Sequence, residues 1–570
     1  MKDMMIEEGM KKWFGHGGFR PGQREAVEAV MQGRDALVVM PTGSGKSLCY
    51  QLAAMLLPGT TLVVSPLIAL MKDQVDGLVR RGCPATCLNS TLPAAEMEQR
   101  LARMVRGEYR LVYVAPERFR VAAFRKCLSR TRLSLLTIDE AHCISQWGHD
   151  FRPDYLEIRN VRRQFPDLRV MAVTATATAD VRADIRRQLG LGEAGRPEPF
   201  EEVLGFSRPN LHIAVTPAAS AEAKLARAVE TVRRHRTGIV YVATRRHAEE
   251  VHANLGARLR GDRGTELLLY HAGLPDDARA RVQERFMQAD HPVVVATNAF
   301  GMGVDRADLR FVLHWDVPGG IEAYYQEIGR AGRDGRRSWC ELLFDPRDVR
   351  IQEFFNEGAN PTWDQARCVL GALRRLAPGA TTLVDLDAFG RDLGIRNGIA
   401  VDTILNVLQA QGVLSRTSDR RSGRVVSLSL HARPDEQALA RVFEARREKA
   451  RRDDARLRRM VSFCTARECR HAFILRYFGD ESATAGCGGC DVCDAGKAAP
   501  ATPHVPETRS TADFQFSPGC EEGIARLQHR YAEIDRMFRI LERERTALQN
   551  RMRAIRAPSE SRVAPAARNG

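Results

Sequence analysis

The sequence predicts an α/β protein with two parallel sheets in tandem domains, followed by smaller helical modules. Two observations predict this fold class. Short apolar runs alternate with helical stretches from about residue 34 to 345, which is typical of parallel α/β sheets. The series of runs also stops and restarts, and the chain of 570 residues exceeds the roughly 250–300 residues at which single cores stop growing.

Each strand-like run ends in a loop that can carry functional residues. The runs of the first series are "DALVVM", "TLVVSP", "RLVYVAP", "LLTIDE" and "RVMAVTAT". Those of the second are "TGIVYVAT", "ELLLYHA", "PVVVATN" and "RFVLHWDVP", after a join near "EVLGFSRPN". Because ligands of open α/β sheets bind at the carboxyl ends of strands, we expect the functional site there.

The next segment, residues 363–430, has three short helical patterns followed by the strand-like runs "GVLSRT" and "VVSLSL". The basic stretch "SDRRSGR" separates these two runs. Helices followed by a basic hairpin predict a winged helix, and the alternative is a small helical connector with a solvated turn. An arginine-rich helical stretch, residues 436–478, comes next.

The C-terminal part has a linker rich in Pro, Ala and Thr, and then a helical stretch. Apolar residues from Ile524 to Ile555 follow one another at steps of three and four, interrupted only by Arg545. This spacing is the pattern of a coiled coil. It predicts self-association or a partner helix, and the alternative is docking of one apolar stripe onto the body of the protein.

Charge and hydropathy restrict the partners. Lys and Arg number 86 against 71 Asp and Glu, which gives a net charge of +15, so a polyanion is a candidate partner. The best apolar run, "TLVVSPLIALM", is broken by Pro66 and stopped by Lys72. We therefore expect a cytoplasmic protein without a membrane partner.

The segment "MPTGSGKS" follows an apolar strand-like run and precedes a helical pattern. Gly43 and Gly45 allow backbone N–H groups to cradle phosphates. Lys46 can reach the β- and γ-phosphates, and Ser47 can bind Mg²⁺. The alternative is a glycine-rich turn without a ligand, but the order of strand, loop, Lys-Ser and helix favours a nucleotide site. The residues expected to contact the nucleotide here are Thr42, Gly43, Ser44, Gly45, Lys46 and Ser47.

Two acidic residues end the strand-like run "LLTIDE". Asp139 can hold the Mg²⁺ shell, and Glu140 can orient and deprotonate an attacking water. A lone Asp-Glu pair is usually a solvated face. Its position at a strand end, downstream of the glycine-rich loop, favours a catalytic role.

A basic motif, "QEIGRAGRDG", lies in the second series. Arg330 and Arg333 are three residues apart, so on a helix they share a face. From a second domain they can reach the γ-phosphate as arginine fingers, with Gln326 beside them. The alternative is an exposed basic helix.

Four cysteines have the spacing of a metal site. "CGGCDVC" places Cys487, Cys490 and Cys493 in two overlapping C-x-x-C pairs, and Cys469 lies on a helical stretch upstream. Four thiolates suit a closed tetrahedral Zn²⁺ site. A redox dithiol is one alternative, and Cys464 is a possible substitute for Cys469.

The order of seven segments resembles that of superfamily 2 helicases and, more narrowly, the RecQ family of ATP-dependent DNA helicases. These segments are "FRPGQ", "MPTGSGKS", "SPLIALMKDQ", "DEAHCISQWGHDFRP", "TATAT", "VVATNAFGMGVD" and "QEIGRAGRDG". The resemblance covers about residues 10–345 and the zinc segment at 440–494. It implies two RecA-like domains, with ATP and Mg²⁺ bound between them.

The resemblance also implies further contacts with the nucleotide. Phe14, Arg20 and Gln23 match the motif that recognises adenine by stacking and hydrogen bonding. The motif that begins at Gly301 and ends at Asp305 is expected to touch both ATP and DNA.

The resemblance implies that two further segments take part in DNA contact. Thr174 and Thr176 match the segment that links the state of ATP to DNA contacts. Ser65 and Lys72 match a motif near the phosphates of the DNA strand.

The stretch after the acidic pair corresponds to an aromatic-rich loop that senses single-stranded DNA in RecQ-like enzymes. Trp147 and Phe151 offer stacking surfaces, each worth about 1–3 kcal/mol per base. Arg152 and His149 can meet phosphates. The alternative is an aromatic pair that packs in the core.

These expectations divide the chain into seven parts. The expected limits are 1–205 and 206–345 for the RecA-like domains, 346–435 for a winged-helix-like domain, 436–494 for a helical zinc module, 495–518 for a flexible linker, 519–556 for a coiled-coil-like helix and 557–570 for a disordered tail. In the better-known RecQ layout the winged helix follows the zinc module, whereas here it precedes it.

The function expected from the resemblance is a 3′–5′ DNA helicase of recombination and repair. It acts on single-stranded and forked DNA with ATP, Mg²⁺ and Zn²⁺. One alternative is an RNA-acting helicase or a translocase that does not unwind. Another is a DNA-binding scaffold with an inactive ATPase site, against which the intact Lys46, Asp139, Glu140, Arg330 and Arg333 count.

Overall fold

The computed structural model describes most of the chain up to residue 497. The described residues are 2–497, apart from 67, 146–151, 194, 263, 302–303, 305, 374–380, 419–424, 432–434, 481 and 483–485. The predicted coiled-coil helix and tail, and nearly all of the linker before them, therefore lie outside the described residues. No helix in the described part combines the length and the apolar composition needed to cross a bilayer.

The first domain is a seven-stranded parallel sheet with the strand order β3-β4-β2-β5-β6-β1-β7. Its strands are β1 (Ala36–Val39), β2 (Thr60–Val64), β3 (Ala85–Leu88), β4 (Leu111–Val114), β5 (Leu133–Ile138), β6 (Arg169–Thr174) and β7 (Phe200–Val203). Its helices are α1 (Lys2–Phe14), α2 (Gln23–Met31), α3 (Lys46–Leu56), α4 (Ile68–Arg80), α5 (Ala94–Val105), α6 (Ala122–Leu128), α7 (Glu157–Gln164) and α8 (Ala179–Leu189).

The second domain is a six-stranded parallel sheet with the strand order β10-β11-β9-β12-β13-β8. Its strands are β8 (Leu211–Pro217), β9 (Gly238–Tyr241), β10 (Glu266–Tyr270), β11 (Pro292–Ala296), β12 (Phe311–His314) and β13 (Ser338–Phe344). Its helices are α9 (Ala221–His235), α10 (Arg245–Arg258), α11 (Asp276–Gln288) and α12 (Ile321–Ile328). The prediction of two parallel α/β domains is confirmed.

The nine strand-like runs predicted for the two α/β domains are all strands, and the two parallel sheets contain four more. The missed strands β3, β7 and β8 lie at sheet edges, but so does β10, which was predicted. Edge position alone does not explain the misses, since every residue of β3 is buried. In β7, "FEEV", half-buried and exposed residues alternate, whereas every residue of β1 is buried. The fourth, β13, is interior but contains Glu341, whose buried carboxylate is bound by Arg227 and Trp339.

A third, antiparallel sheet follows, with the strand order β14-β16-β15. The elements from the end of the second domain onward are α13 (Val349–Ala359), α14 (Trp363–Leu373), β14 (Thr381–Asp385), α15 (Leu386–Asp392), α16 (Gly398–Ala410), β15 (Leu414–Ser418) and β16 (Val425–Leu430). From α14 onward the order of helix, strand, two helices and hairpin is that of a winged helix. These elements share their own apolar core, which includes Leu370, Ile404 and Leu428.

The last described module is helical and packs on the second domain. It consists of α17 (Glu436–Thr465), α18 (Arg470–Tyr477) and α19 (Asp491–Lys497). Phe463, Phe478 and Cys490 belong to the same buried cluster as Ile213 and Tyr324 of the second domain. The cysteine-containing segment is therefore fixed to the edge strand β8.

Candidate functional site

The phosphate-binding loop lies between β1 and α3. Gly43 and Gly45 have φ angles of 82° and 85°, in the left-handed region that glycine adopts without a steric cost. The loop leads into the N-terminus of α3, where free backbone N–H groups and the helix dipole favour an anion. The Lys46 ammonium donates to the carbonyl oxygens of Met40 and Pro41, at 3.1 and 3.2 Å. Burial lowers the pKa of Lys46, and the nearby Glu140 and Asp139 act in the opposite direction.

The acidic pair follows the end of β5. Asp139 is buried, and its backbone N–H donates to the carbonyl of Val64 at 2.9 Å. Burial, and then the charge of Glu140, raise the pKa of the Asp139 carboxyl to about 7. A buried carboxylate whose charge is disfavoured in this way fits a cation, and a divalent ion would reverse the shift. Asp139 and Ser47 thus suit Mg²⁺.

Glu140 takes a backbone conformation that is unusual for its residue type. Its φ of 49° lies in the left-handed region, which costs a non-glycine residue about 1–3 kcal/mol. One oxygen of its carboxylate lies 3.3 Å from His142 Nδ1. The same ring nitrogen lies 2.9 Å from the hydroxyl of Thr174. The strained backbone thus places Glu140 in a chain of polar contacts that reaches the end of β6.

His142 and its contacts were missed in the sequence. Its position could have indicated a role in the site, because the histidine follows Asp139, Glu140 and an alanine in "DEAH". Nothing in the sequence showed that Thr174 would be its partner, since the two lie 32 residues apart.

The second domain brings its basic motif to the same cleft. Gln326 Nε2 donates to Thr176 Oγ1 of the first domain at 3.0 Å. Arg333 packs on the phosphate loop, since a Cβ on Gly43 would lie 3.4 Å from Arg333 Cγ. Arg330 instead is 9% exposed and donates to the carbonyl of Gly301 in its own domain. Of the two expected arginine fingers, the structure therefore places Arg333 at the phosphate loop.

The residues expected to recognise adenine adjoin the same loop. The Gln23 amide donates to the carbonyls of Ser44 and Gly45 at 3.0 and 3.1 Å, and its oxygen accepts from the Arg20 backbone N–H at 2.9 Å. The Phe14 ring is 6% exposed, with the Arg81 guanidinium 5.8 Å from its centre. Phe14, Arg20, Gln23 and Arg81 line the same cleft as Lys46 and Asp139. The cleft has a volume of about 1170 Å³, which is ample for a nucleoside triphosphate.

The expected DNA contacts are only partly described. Trp147, His149, Phe151 and Asp305 lie outside the described residues. Arg152 closes the aromatic-rich loop, and its guanidinium donates to the Pro66 carbonyl at 3.0 Å. This contact brings the end of the loop to the segment "SPLIALMKDQ".

Within that segment the two expected DNA contacts differ in exposure. Lys72 is exposed on α4. Ser65 is 1% exposed, and its hydroxyl has no hydrogen-bond partner among the described residues. Lys72 is therefore the side chain that already faces solvent.

The four cysteines form one cluster. One sulfur from each of Cys469, Cys487, Cys490 and Cys493 lies within 4.8 Å of the others, and the sulfurs of Cys487 and Cys493 are 3.9 Å apart. Tetrahedral Zn²⁺ with Zn–S bonds of about 2.3 Å would separate the sulfurs by about 3.8 Å, so the cluster fits this ion. Cys464 is buried outside the cluster, and burial raises its pKa to about 12. The geometry favours Cys469 as the fourth ligand.

Hydrogen bonds hold this cluster on the second domain. The backbone N–H of Ile213 in β8 donates to the Gly489 carbonyl at 3.1 Å. His471 Nε2 lies 3.0 Å from the carbonyl of Leu211. Asp491 accepts from the backbone N–H of Val215 at 3.0 Å. The metal-binding segment therefore covers an edge strand that would otherwise be open.

The third helix of the winged helix, α16, lacks the features of a DNA-reading helix. It contains no Lys or Arg. Thr403 donates to the Gly358 carbonyl of α13 at 2.9 Å, and Asn397 donates to that of Phe354 at 2.7 Å. Arg416 in the hairpin pairs with Asp402 at 2.7 Å. The basic residues of the hairpin tip lie outside the described residues, and Arg391 and Arg396, which precede α16, are exposed.

Comparisons with protein-family models match three parts of the chain. The DEAD/DEAH box helicase model matches residues 20–184, the helicase conserved C-terminal domain model matches 221–335, and the RecQ zinc-binding model matches 433–494. The segment between the last two matches contains the winged helix.

Solved structures show the same fold at low sequence identity. A structure titled DUF1998 helicase MrfA bound to DNA and AMPPNP has a TM-score of 0.50 at 20% identity and covers 76% of this chain and 62% of that one. DEAD-box helicase Mss116 bound to ssRNA and UDP-BeF has a TM-score of 0.51 at 14% identity, with coverages of 74% and 95%.

Curated relatives are closer in sequence. "ATP-dependent DNA helicase RecQ" of Bacillus subtilis strain 168 is 45% identical over 348 residues, which cover 60% of this chain and 57% of that protein. The Haemophilus influenzae RecQ is 42% identical over 340 residues, with coverages of 60% and 53%. The chain thus spans about half the length of these two relatives. "Probable ATP-dependent DNA helicase RecS" of Bacillus subtilis is 38% identical, and 73% of it is covered. The chain belongs to the RecQ family of superfamily 2 helicases.

Proposed function

We propose that the chain is an ATP-dependent DNA helicase that moves 3′ to 5′ on a single strand and unwinds duplex DNA in recombination and repair. The observation that carries this proposal is the composite cleft. Lys46, Asp139 and Glu140 of the first domain lie in it together with Gln326 and Arg333 of the second. A site divided between two domains converts hydrolysis into relative movement of those domains.

Each residue has a distinct task in hydrolysis. Lys46 leaves the carbonyls that it now contacts and binds the β- and γ-phosphates. Ser47 and Asp139 would hold Mg²⁺, which would supply positive charge to the phosphates. Glu140 orients the attacking water and accepts its proton, and Arg333 stabilises the charge that develops on the γ-phosphoryl group.

The polar contacts around Glu140 support coupling between ATP and DNA. The chain from Glu140 through His142 reaches Thr174, and two residues later Thr176 accepts from Gln326. We therefore infer that a change in the distance between the two domains is transmitted to Glu140, which orients the attacking water. Arg152 lies on the same segment as Glu140, twelve residues later, so we infer that DNA at the aromatic-rich loop acts through this segment.

DNA as the substrate is supported by the names of the relatives and by the aromatic-rich segment. The direction of movement follows from the family resemblance. We also propose that the modules have the limits predicted from the sequence. The other site residues predicted there are proposed to have the contacts stated for them. Self-association through the C-terminal helix and a cytoplasmic location stay predictions.

Hydrolysis in this cleft is tested by two substitutions. We expect Lys46→Ala and Glu140→Gln to lower the turnover of ATP with single-stranded DNA by at least about a hundredfold. Arg336→Ala, which changes an exposed arginine close to the motif, is the matched control and keeps turnover. Wild-type turnover in either of the first two variants would place hydrolysis elsewhere.

A further inference from the structure

The join between the two domains is held by contacts on both sides. The backbone N–H of Phe206 donates to the Asp480 carboxylate at 2.7 Å, and its carbonyl accepts from the Tyr325 hydroxyl at 3.0 Å. The Phe206 ring stacks on Phe478, with centroids 4.4 Å apart and planes at 13°. The join is thus fixed to α12 and to the zinc module before the chain enters β8.

Two residues further on, Arg208 contacts both halves of the cleft. One of its nitrogens, Nη1, donates to the carbonyls of Thr42 in the phosphate loop and Gly329 after α12, both at 3.2 Å. The other, Nη2, donates to the Ala331 carbonyl at 2.9 Å and to the Gly332 carbonyl at 3.4 Å. One side chain therefore links the loop that binds phosphate to the turn that carries Arg330 and Arg333.

The chemistry of arginine suits these contacts. The carbonyls that follow a helix have no partners within it, and a cation near the C-terminal end of a helix is favoured by its dipole. A guanidinium offers five N–H donors in a rigid fork. Lysine keeps the charge but offers no planar fork, so it cannot span the same set of carbonyls.

The two halves also touch directly at this point. A Cβ on Gly329 would lie 3.4 Å from the Cβ of Thr42, so the phosphate loop and the turn are already in contact. Asn210 holds the same turn from within the second domain, because its amide donates to the carbonyls of Gly332 and Arg336 at 2.8 and 3.1 Å. Arg208 differs from Asn210 in its additional contact with the phosphate loop.

We propose that Arg208 is a positioning residue that sets the place of Arg333 relative to the phosphates. It acts through the turn and does not touch the nucleotide. This role rests on the proposed ATP hydrolysis. Misplacing a catalytic group by about 1 Å can cost about a hundredfold in rate, so the loss of Arg208 lowers turnover more than it weakens ATP binding.

The test is a double-mutant cycle on the full chain with saturating single-stranded DNA. We expect Arg208→Ala to lower kcat at least about tenfold and to change KM for ATP by less than about threefold. In an Arg333→Ala background the same change should lower kcat by less than about twofold, because residues that act as a unit are not additive. Arg208→Lys should restore only a part of the rate.

Two controls separate the outcomes. Asn210→Ala, which lacks the link to the phosphate loop, is expected to lower kcat less than about threefold. Lys46→Ala loses turnover if the proposed function holds. An unchanged kcat in Arg208→Ala beside an inactive Lys46→Ala would overturn the role of Arg208 alone. The same fold loss with and without Arg333 would also overturn it, since it would show a general structural effect. If Arg208→Ala fails to fold, Arg208→Lys is measured in its place, and an unchanged kcat in that variant would overturn the role of Arg208.

Discussion

At the scale of single residues, two arginines three positions apart have different partners: Arg333 packs on the phosphate loop, whereas Arg330 donates to the carbonyl of Gly301. Lys46, Asp139 and Glu140 follow strands in a recognisable order, so their convergence could be predicted. The contrast between Arg330 and Arg333 could not. It depends on the Gly301 carbonyl, which lies far away in the chain and binds Arg330. The contact of His142 likewise could not be predicted, because it depends on where Thr174 lies in the fold.

The aromatic-rich loop gives a prediction about one residue. We expect Trp147→Ala to keep basal ATP binding and to lose most of the stimulation of hydrolysis by single-stranded DNA, because a stacking surface worth about 1–3 kcal/mol per base is removed. The measurement is ATP turnover over a titration with oligonucleotide. Phe354→Ala, which removes an exposed aromatic ring on α13, is the control. Unchanged stimulation would assign Trp147 to core packing.

At the scale of elements, strands with continuous apolar runs were predictable, including β10 at a sheet edge, whereas strands interrupted by charged residues, such as β7 and β13, were not. Central strands of a parallel sheet are covered on both faces, so their sequences are apolar throughout. Edge strands such as β7 have fewer neighbours and tolerate charges. The winged helix was visible from its helices and hairpin. Its packing on α13 was not, because that contact depends on Gly358, where an added Cβ would lie 2.6 Å from Ile399.

The zinc segment gives a prediction about a metal. We expect about one Zn²⁺ per chain, since four thiolates form one tetrahedral site. Cys490→Ser should lose the ion and lower the thermal midpoint, because metal binding contributes to folding and this segment covers β8. Cys368→Ser, which changes an exposed cysteine in α14, should keep both. Elemental analysis decides, and full zinc in Cys490→Ser would contradict the assignment.

The hairpin gives a prediction about an element. Because α16 has no basic residue and Asp402 holds Arg416, we expect DNA contact from Arg420, Arg421 and Arg424. Changing these three to Gln should weaken fork binding more than single-strand binding, and should lower the slope of log affinity against log salt by up to about 2.7.

The hairpin variant is compared with a control variant that loses the same number of positive charges elsewhere. Three exposed arginines of α17, Arg447, Arg451 and Arg458, provide it when they are changed to Gln. Equal losses on forks and single strands in the hairpin variant would indicate a general electrostatic effect.

At the scale of the whole molecule, the order of the two α/β domains, the winged helix and the zinc module could be predicted from the sequence, but their packing could not. The join near Arg208 contacts the phosphate loop, and nearby Phe206 reaches α12 and the zinc module. Three modules therefore meet at one short segment. No periodicity encodes such a meeting point, because it arises from contacts between residues up to 274 positions apart.

In the proposed function, hydrolysis in this cleft drives unwinding in one direction. The most direct measurement compares equal duplexes with a 3′ tail, a 5′ tail or RNA strands, each with ATP and Mg²⁺, in wild type and Lys46→Ala. We expect wild type to separate the 3′-tailed DNA duplex, to leave the 5′-tailed and RNA duplexes largely intact, and to need Lys46. Equal unwinding from both tails, preference for RNA, or ATP turnover without strand separation would contradict it.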